Sequence, residues 1–191
     1  MLYENRLSVY KNWVRFDPWS LIRMILHGWH SNSPLSHPFL VKRAFFSDDY
    51  PDDKLAEFQG HLNRYESFLW PFGMMFWFID PKKVLKGITG WGRGGNGPRM
   101  LVMAGTNERL MTREVQEKTA ETYRTAFSQL VRGNEVDAED EAIYPLGRDE
   151  CGDNVGHGVE LAWVPGAGHH LQNDVSWEIG AKKLLEFIHR L

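Results

Sequence analysis

The chain has 191 residues, a length that suits one domain or a small domain with a cap. Its 22 basic and 25 acidic residues give a formal net charge of -3 and are spread along the sequence. This balance excludes the basic surface expected of a protein that binds nucleic acid or an anionic membrane. The single cysteine, Cys151, excludes an internal disulfide framework and fits a reducing compartment.

The sequence shows no membrane-spanning or targeting pattern. Its longest apolar run, residues 68–79, is interrupted by Pro71 and Gly73 and is shorter than the ~20 residues that a spanning helix needs. Residues 1–6 have neither the basic and apolar regions of a signal peptide nor the Arg-rich pattern of a transit peptide. We therefore expect a cytoplasmic protein whose partners are small molecules or other proteins.

Aromatic residues divide the sequence into two regions. Residues 1–97 hold 19 of the 25 Phe, Trp and Tyr residues, and a glycine-rich run, Gly90-Trp91-Gly92-Arg93-Gly94-Gly95-Asn96-Gly97-Pro98, follows them. Such a run is too flexible for a helix or a strand. We therefore place a boundary there, between a cap or lid region (1–97) and a core region (98–191).

The first region has helical signals and no strand-like alternation. One short helix is expected over residues 18–28 and a better one over 51–65, with Pro51 in its first position and acidic residues in its first turn. The apolar face of the second helix would consist of Leu55, Phe58, Leu62 and Tyr65. A third helix is expected to begin near Glu66 or just after Pro71.

The second region alternates strands and helices. Residues 100–104 form a short apolar run, and a helix follows from Thr112, a plausible N-cap, to 131. A charged, irregular stretch leads to about residue 158, and a second strand covers 159–164. Two strands separated by helices predict an α/β fold with a parallel sheet.

The last predicted helix, residues 176–191, carries a stripe of apolar side chains that should pack on something flat. The stripe consists of Trp177, Ala181, Leu184, Leu185 and Ile188.

Two candidate catalytic residues follow the two predicted strands. Glu108 comes after the Gly105 that ends the first strand, and His169 comes after the Gly166-Ala167-Gly168 approach that ends the second. Because loops at the carboxyl edge of a parallel sheet share one crevice, we expect these side chains to converge there. A carboxylate that orients an imidazole is the supporting pair of a nucleophilic hydrolase.

Specific segments resemble the C-terminal part of an α/β-hydrolase. Gly-Thr-Asn-Glu-Arg-Leu-Met (105–111) resembles the acid loop of this superfamily, and Gly-Ala-Gly-His-His-Leu-Gln-Asn-Asp (166–174) resembles its histidine loop. Arg43-Ala44-Phe45-Phe46-Ser47, followed by a helix and Glu66-Ser67, resembles the helical cap of a subset common in fungi and often associated with secondary metabolism.

The resemblance implies a partial α/β-hydrolase fold, with a helical cap followed by the last two parallel strands and their helices. It makes Glu108 the acid of a triad, where the family usually has Asp, and His169 the general base, with no cofactor or metal. None of the serines lies in the G-x-S-x-G turn that carries the family nucleophile. We therefore expect a truncated chain that is inactive alone, whose family reaction is serine-type hydrolysis of an ester, amide or C–C bond.

The same residues allow a different class of function. A parallel pair of strands normally lies within a larger sheet, so the strand at 100–104 should have one unpaired edge, which is a template for another chain. The chain would then be a non-catalytic small-molecule-binding or assembly module, acting as a homo-oligomer or with a complementing chain. A poorly folding degraded gene product is a third interpretation.

Each candidate residue also has a simpler interpretation. Glu108 could be an ordinary solvated loop carboxylate, and His170 a packing histidine. Cys151 is a weak candidate for a replacement nucleophile, and Cys151, His157, His169 and His170 match no common zinc-ligand spacing. Surface or packing roles are expected for His27 and His30, core or cap lining for the 68–78 aromatic cluster, and no direct chemical role for Ser67.

Overall fold

The computed structural model describes residues 11, 14–27, 37–62, 79–91, 97–138, 142–150 and 152–191. We number the elements in chain order. They are α1 (Ser20–Leu26), α2 (Pro38–Phe45), α3 (Asp52–His61), α4 (Pro81–Lys86), β1 (Met100–Gly105), α5 (Arg113–Arg132), β2 (Gly147–Arg148), β3 (Asn154–Gly156), β4 (Val159–Val164) and α6 (Trp177–His189).

The fold is mixed α/β, built on a four-stranded mixed sheet with the strand order β1-β4-β3-β2. Strands β1 and β4 are parallel, with Met100 opposite Val159 and Gly105 opposite Val164. Strand β3 pairs antiparallel with β4, and β2 pairs antiparallel with β3. The prediction of two parallel strands at these positions is confirmed, and within the described residues β1 lies at one edge of the sheet.

The prediction of an irregular stretch up to residue 158 is wrong at β2 and β3. These strands have two and three residues, too few for an alternating pattern to be visible in the sequence. A tertiary contact anchors β3: the buried Arg124 of α5 donates to the backbone oxygen of Asn154 at 3.2 Å and to its Oδ1 at 2.5 Å. Besides its pairing with β2 and β4, β3 is therefore held by a side chain 30 residues earlier in the chain.

Helices cover both faces of the sheet. On one face, Val159, Leu161 and Trp163 pack with Ala104 of β1 and Ala120 of α5 in a buried cluster. The intervening residues of β4 point to the other face because side chains alternate along a strand. There Glu160 of β4 pairs with Arg190, which follows α6. Val164 lies beside the buried Gly180 of α6.

The prediction that the apolar stripe of α6 packs against the fold is wrong. Trp177, Leu184 and Ile188 are 49%, 43% and 50% exposed, and the buried residues of the helix are Gly180 and Phe187. A glycine on the buried face lets the helix backbone approach Val164, so the helix is rotated away from its most apolar stripe. The described part of the chain leaves this stripe exposed.

The first region contributes to two packed clusters. Val41 and Phe46 pack with Tyr50 and Leu55, and Phe58 and Leu62 lie against them, as expected for the apolar face of the second predicted helix. Pro51 is the N-cap of α3, and not its first residue. Leu85 of α4 and Trp91 pack with Phe127 and Leu130 of α5, so α4 and the start of the glycine-rich run pack against α5.

Several predictions fall outside the described residues. They concern the third helix near Glu66 or Pro71, Ser67, the 68–78 aromatic cluster, the 92–96 part of the glycine-rich run, Tyr65, His30 and Cys151. Among the described residues, no helix combines the length and the apolar composition needed to cross a bilayer.

Candidate functional site

The structure brings Glu108 and His169 together. Glu108 lies in the loop after β1 and His169 in the loop after β4, and the parallel pairing of these strands places both loops at one edge of the sheet. The Nδ1 atom of His169 is 2.5 Å from Oε2 of Glu108. The glutamate side chain is only 5% exposed and the imidazole 37% exposed, so the acid is buried beneath an accessible ring.

Backbone groups fix the orientation of Glu108. Its Oε1 accepts hydrogen bonds from the backbone N–H of Leu110 at 2.7 Å and of Met111 at 3.0 Å. A carboxylate accepts hydrogen bonds, so in the neutral imidazole this contact selects the tautomer in which Nδ1 donates to Oε2 and Nε2 keeps its lone pair. This tautomer makes Nε2 the basic atom of the pair. The arrangement therefore differs from that of an ordinary solvated loop carboxylate.

Hydrogen bonds connect the acid loop to the histidine loop. Thr106 and Asn107 donate their backbone N–H groups to the carbonyls of Val164 and Ala167, at 3.0 and 2.9 Å. The side chain of Asn107 donates to the carbonyl of Gly166, whose N–H donates to Oγ1 of Thr106. The two loops are thus one hydrogen-bonded unit, which holds the Glu108–His169 distance.

Two glycines allow the backbones around the pair to approach closely. A Cβ added at Gly105 would lie 2.1 Å from the carbonyl oxygen of Ala167, and one added at Gly168 would lie 2.7 Å from the backbone of Phe46. No real Cβ tolerates such contacts with backbone atoms. The first glycine admits the histidine loop against β1, and the second admits the segment after α2 against the histidine loop.

Asp174 joins the histidine loop to the segment that follows α2. This aspartate is 1% exposed, and its two oxygens accept from the backbone N–H and the hydroxyl of Ser47, at 2.8 and 2.6 Å. They also accept from the backbone N–H groups of Gly168 and Val175, at 2.8 and 2.7 Å. One buried carboxylate therefore fixes the residue just before His169 relative to α2.

His170 has the packing role that the sequence analysis considered. Its ring makes edge-to-face contacts with Phe45 and Phe58, and its backbone N–H donates to the carbonyl of Phe45 at 2.8 Å. Burial, followed by the nearby His169, lowers the pKa of His170 below its ordinary value. A neutral imidazole packed between aromatic rings supports the loop without facing the acid.

A cleft of about 990 Å³ opens beside Glu108. Its walls come from the segment before α1, from α2 and α3, and from the acid loop. The lining residues are Arg15, Phe16, Pro38, Phe39, Lys42, Arg43, Asp48, Asp52, Leu55, Glu108, Arg109 and Thr112. The cleft therefore adjoins the acid of the Glu108–His169 pair and has both charged and apolar walls.

A nucleophile beside His169 is missing from the described part of the chain. Two of its four serines donate to other groups: Ser47 to Asp174, and Ser128 to the carbonyl of Arg124. None of the four, which also include Ser20 and Ser176, bonds to His169. The described residues also hold no group of three His, Cys, Asp or Glu side chains placed for a metal ion. His157 and His169 lie beyond opposite ends of β4.

Sequence reasoning missed the residues that position the site. Asp174 and Ser47 are 127 residues apart, so no local pattern indicates their contact. Arg109 bonds Asp48 of the cap region at 2.7 Å, and this hydrogen bond, followed by the arginine charge, lowers the pKa of Asp48. Both contacts become visible only when the acid and histidine loops are seen against α2 and α3.

Comparison with protein-family profiles, with curated proteins and with solved structures gave no match for this chain.

Proposed function

We propose that this chain carries the acid–base pair of a serine-type α/β-hydrolase site and does not itself complete the nucleophilic step. The observation that carries the proposal is the 2.5 Å contact between His169 Nδ1 and a buried Glu108 whose other oxygen is held by two backbone N–H groups. The parallel β1–β4 pair and the adjoining cleft support it. The bond cleaved would be an ester, amide or C–C bond next to a carbonyl.

In this proposal each residue has a defined part in proton transfer. His169 accepts the nucleophile proton at Nε2 and later donates it to the leaving group, while Glu108 keeps Nδ1 protonated and stabilises the imidazolium. A hydroxyl must lie within about 3 Å of Nε2 for the first step. The described serines do not supply it, and no serine of the sequence lies in a G-x-S-x-G turn, so we expect the chain alone not to hydrolyse esters at a useful rate.

A panel of p-nitrophenyl esters tests this expectation. We expect the rate of p-nitrophenol release by the wild-type chain to equal that of His169→Ala within experimental error, because the base has no nucleophile to activate. His61→Ala, an exposed histidine at the end of α3, serves as the matched control. Hydrolysis that depends on His169 and not on His61 would refute the claim that this chain is inactive alone.

A specific observation favours assembly as a second candidate function. We infer that the exposed stripe of α6 (Trp177, Leu184, Leu185, Ile188) lies on the flank of the helix toward β1, whose outer edge pairs with no described strand. Lys183 pairs with Asp153, which directly precedes β3, so the flank of α6 that carries Lys183 faces β3. The stripe residues lie on the opposite flank of the helix, toward β1. Apolar patches of this kind mark interaction sites in soluble proteins.

We propose a second copy of the chain as the occupant of this surface. Antiparallel pairing of two β1 edges about a two-fold axis normal to the sheet keeps both α6 helices on the same face. The two stripes then meet across the axis, so one symmetric interface covers the strand edge and the stripe together. The four stripe residues are uncharged, so their contact brings no like charges together.

Sedimentation velocity across a concentration series tests this assembly. We expect a concentration-dependent dimer for the wild type and a monomer for Ile188→Lys, because a charge at the centre of the interface would be buried without a partner. Ile25→Lys, at a similarly exposed apolar position on α1 (54% against 50% for Ile188), should still dimerise. A folded wild-type monomer at about 100 μM would count against the second candidate.

A further inference from the structure

The charged side chains of the cleft do not balance. Among the described residues, four cationic ones (Arg15, Lys42, Arg43, Arg109) and three acidic ones (Asp48, Asp52, Glu108) line it, so this part of the wall has a surplus of one positive charge. The acids are all engaged: Asp52 pairs with Lys42 at 2.8 Å, Asp48 with Arg109 at 2.7 Å, and Glu108 with His169. Arg15 and Arg43 form no ion pair with another described residue.

Arg43 is the better placed of the two arginines to hold a ligand. Its guanidinium lies over the ring of Phe16, 4.7 Å from the ring centroid, and the residue is half-buried on α2. The contact with the ring restrains the guanidinium, and its N–H groups donate to no described residue, so they are available for a planar anion. An anionic ligand would supply the acidic partner that Arg43 lacks among the described residues.

The remaining lining favours an apolar ligand body. Phe16, Pro38, Phe39 and Leu55 supply the apolar part of the cleft, and Phe39 is 62% exposed. A volume of about 990 Å³ is at the upper end of the range for drug-sized ligands. An apolar molecule that carries one negative charge therefore matches both the apolar lining and the single surplus positive charge.

We infer that this cleft is a binding site for monocarboxylates with an aromatic or aliphatic body, with Arg43 as the carboxylate-binding residue and Arg15 beside it. Two N–H groups of one guanidinium match the two oxygens of a carboxylate. A phosphate dianion carries two negative charges, and the surplus of one positive charge would compensate only one of them. As a substrate site, the inference rests on the proposed function, because Glu108 is common to the cleft and to the acid–base pair.

Binding of 2-naphthoate and its neutral analogue 2-naphthamide, measured by ligand-observed NMR titration, tests the inference. We expect naphthoate to bind the wild type at least about tenfold more tightly than naphthamide at low salt, because only the acid can pair with the guanidinium. Arg43→Gln should remove this preference and leave the weak binding of the amide. Raising NaCl from about 50 to 500 mM should reduce the preference in the wild type.

A matched control comes from another described arginine that lies over an aromatic ring. Arg113 lies over Trp163 at the same 4.7 Å but does not line the cleft, so Arg113→Gln should keep the preference for naphthoate. Equal binding of acid and amide by the wild type would overturn the inference, as would a preference that Arg43→Gln and salt leave unchanged. Tighter binding of 2-naphthyl phosphate than of naphthoate would overturn the assignment to monocarboxylates.

The binding experiment is separable from the hydrolytic proposal. It needs no nucleophile and no turnover, so its outcome does not depend on whether this chain hydrolyses esters. Failure of naphthoate to bind would remove the anion site and leave the acid–base pair as proposed. His169-dependent ester hydrolysis by this chain would instead overturn the claim of inactivity and leave the anion site in place.

Discussion

Asp174→Ala is expected to destabilise the chain by about 3 to 5 kcal/mol, which corresponds to a drop of about 10 °C in melting temperature. The carboxylate is 1% exposed and accepts four hydrogen bonds, from Ser47 (two), Gly168 and Val175. Alanine would leave two or more backbone N–H groups buried without an acceptor, and each costs about 1 to 3 kcal/mol. Thermal unfolding followed by circular dichroism measures the effect.

The same substitution should also release the histidine loop from α2. With the carboxylate gone, Gly168 and Ser47 lose their common acceptor, and amide hydrogen exchange should rise in both segments. Asp49→Ala is the matched control, because this exposed acid lies in the same turn as Ser47 and should change stability by less than about 0.5 kcal/mol. Nearly equal melting temperatures for Asp174→Ala and the wild type would show that the four bonds do not hold the loop.

Gly105→Ala is expected to cost at least about 3 kcal/mol and to separate Glu108 from His169. The added Cβ would lie 2.1 Å from the carbonyl oxygen of Ala167 and 2.5 Å from that of Gly168, so backbone must move. The movement would open the hydrogen bonds between the acid loop and the histidine loop. Urea unfolding gives the free energy, and the NMR signal of the His169 Nδ1 proton reports on the pair.

Gly60→Ala makes the same chemical change and is expected to have the opposite effect on stability. Gly60 lies near the end of α3, and nothing lies within 4 Å of a Cβ added there. Because alanine has the higher helix propensity, this variant should be more stable by about 0.5 to 1 kcal/mol and should keep the downfield Nδ1 signal. A Gly105→Ala variant that retained both wild-type stability and that signal would contradict the close-approach argument.

The candidate pair was predictable from sequence because its signals are local. Each residue follows an apolar strand that has a glycine at its end or two residues after it, and the order of strand, helix and strand implies that the two strands are parallel. From that alone, Glu108 and His169 are expected at one sheet edge, as the structure has them. Their roles in hydrolysis stay predictions, because their geometry does not identify the nucleophile or the substrate.

The cleft and the packing of α6 were not predictable because they depend on distant contacts. The exposed stripe of α6 is more apolar than the face that packs, and a glycine on that face decides the outcome by letting the backbone approach β4. In the same way, the sequence around Arg43 is that of an ordinary helix. The residue beneath its guanidinium, Phe16, is 27 positions earlier, so no local pattern indicates the contact. Periodicity indicates which residues are apolar and not which neighbours they meet.

The sequence by itself determined the strands at 100–104 and 159–164, the helices after each of them, and the glutamate and histidine that follow them. These features depend on hydrophobic period, caps and glycines over a few residues. Only the tertiary structure decided the β2–β3 pairing, the Asp174–Ser47 contact, the orientation of α6 and the charge surplus of the cleft. These features join segments up to 127 residues apart, and their energies come from close packing and paired buried groups that no local pattern encodes.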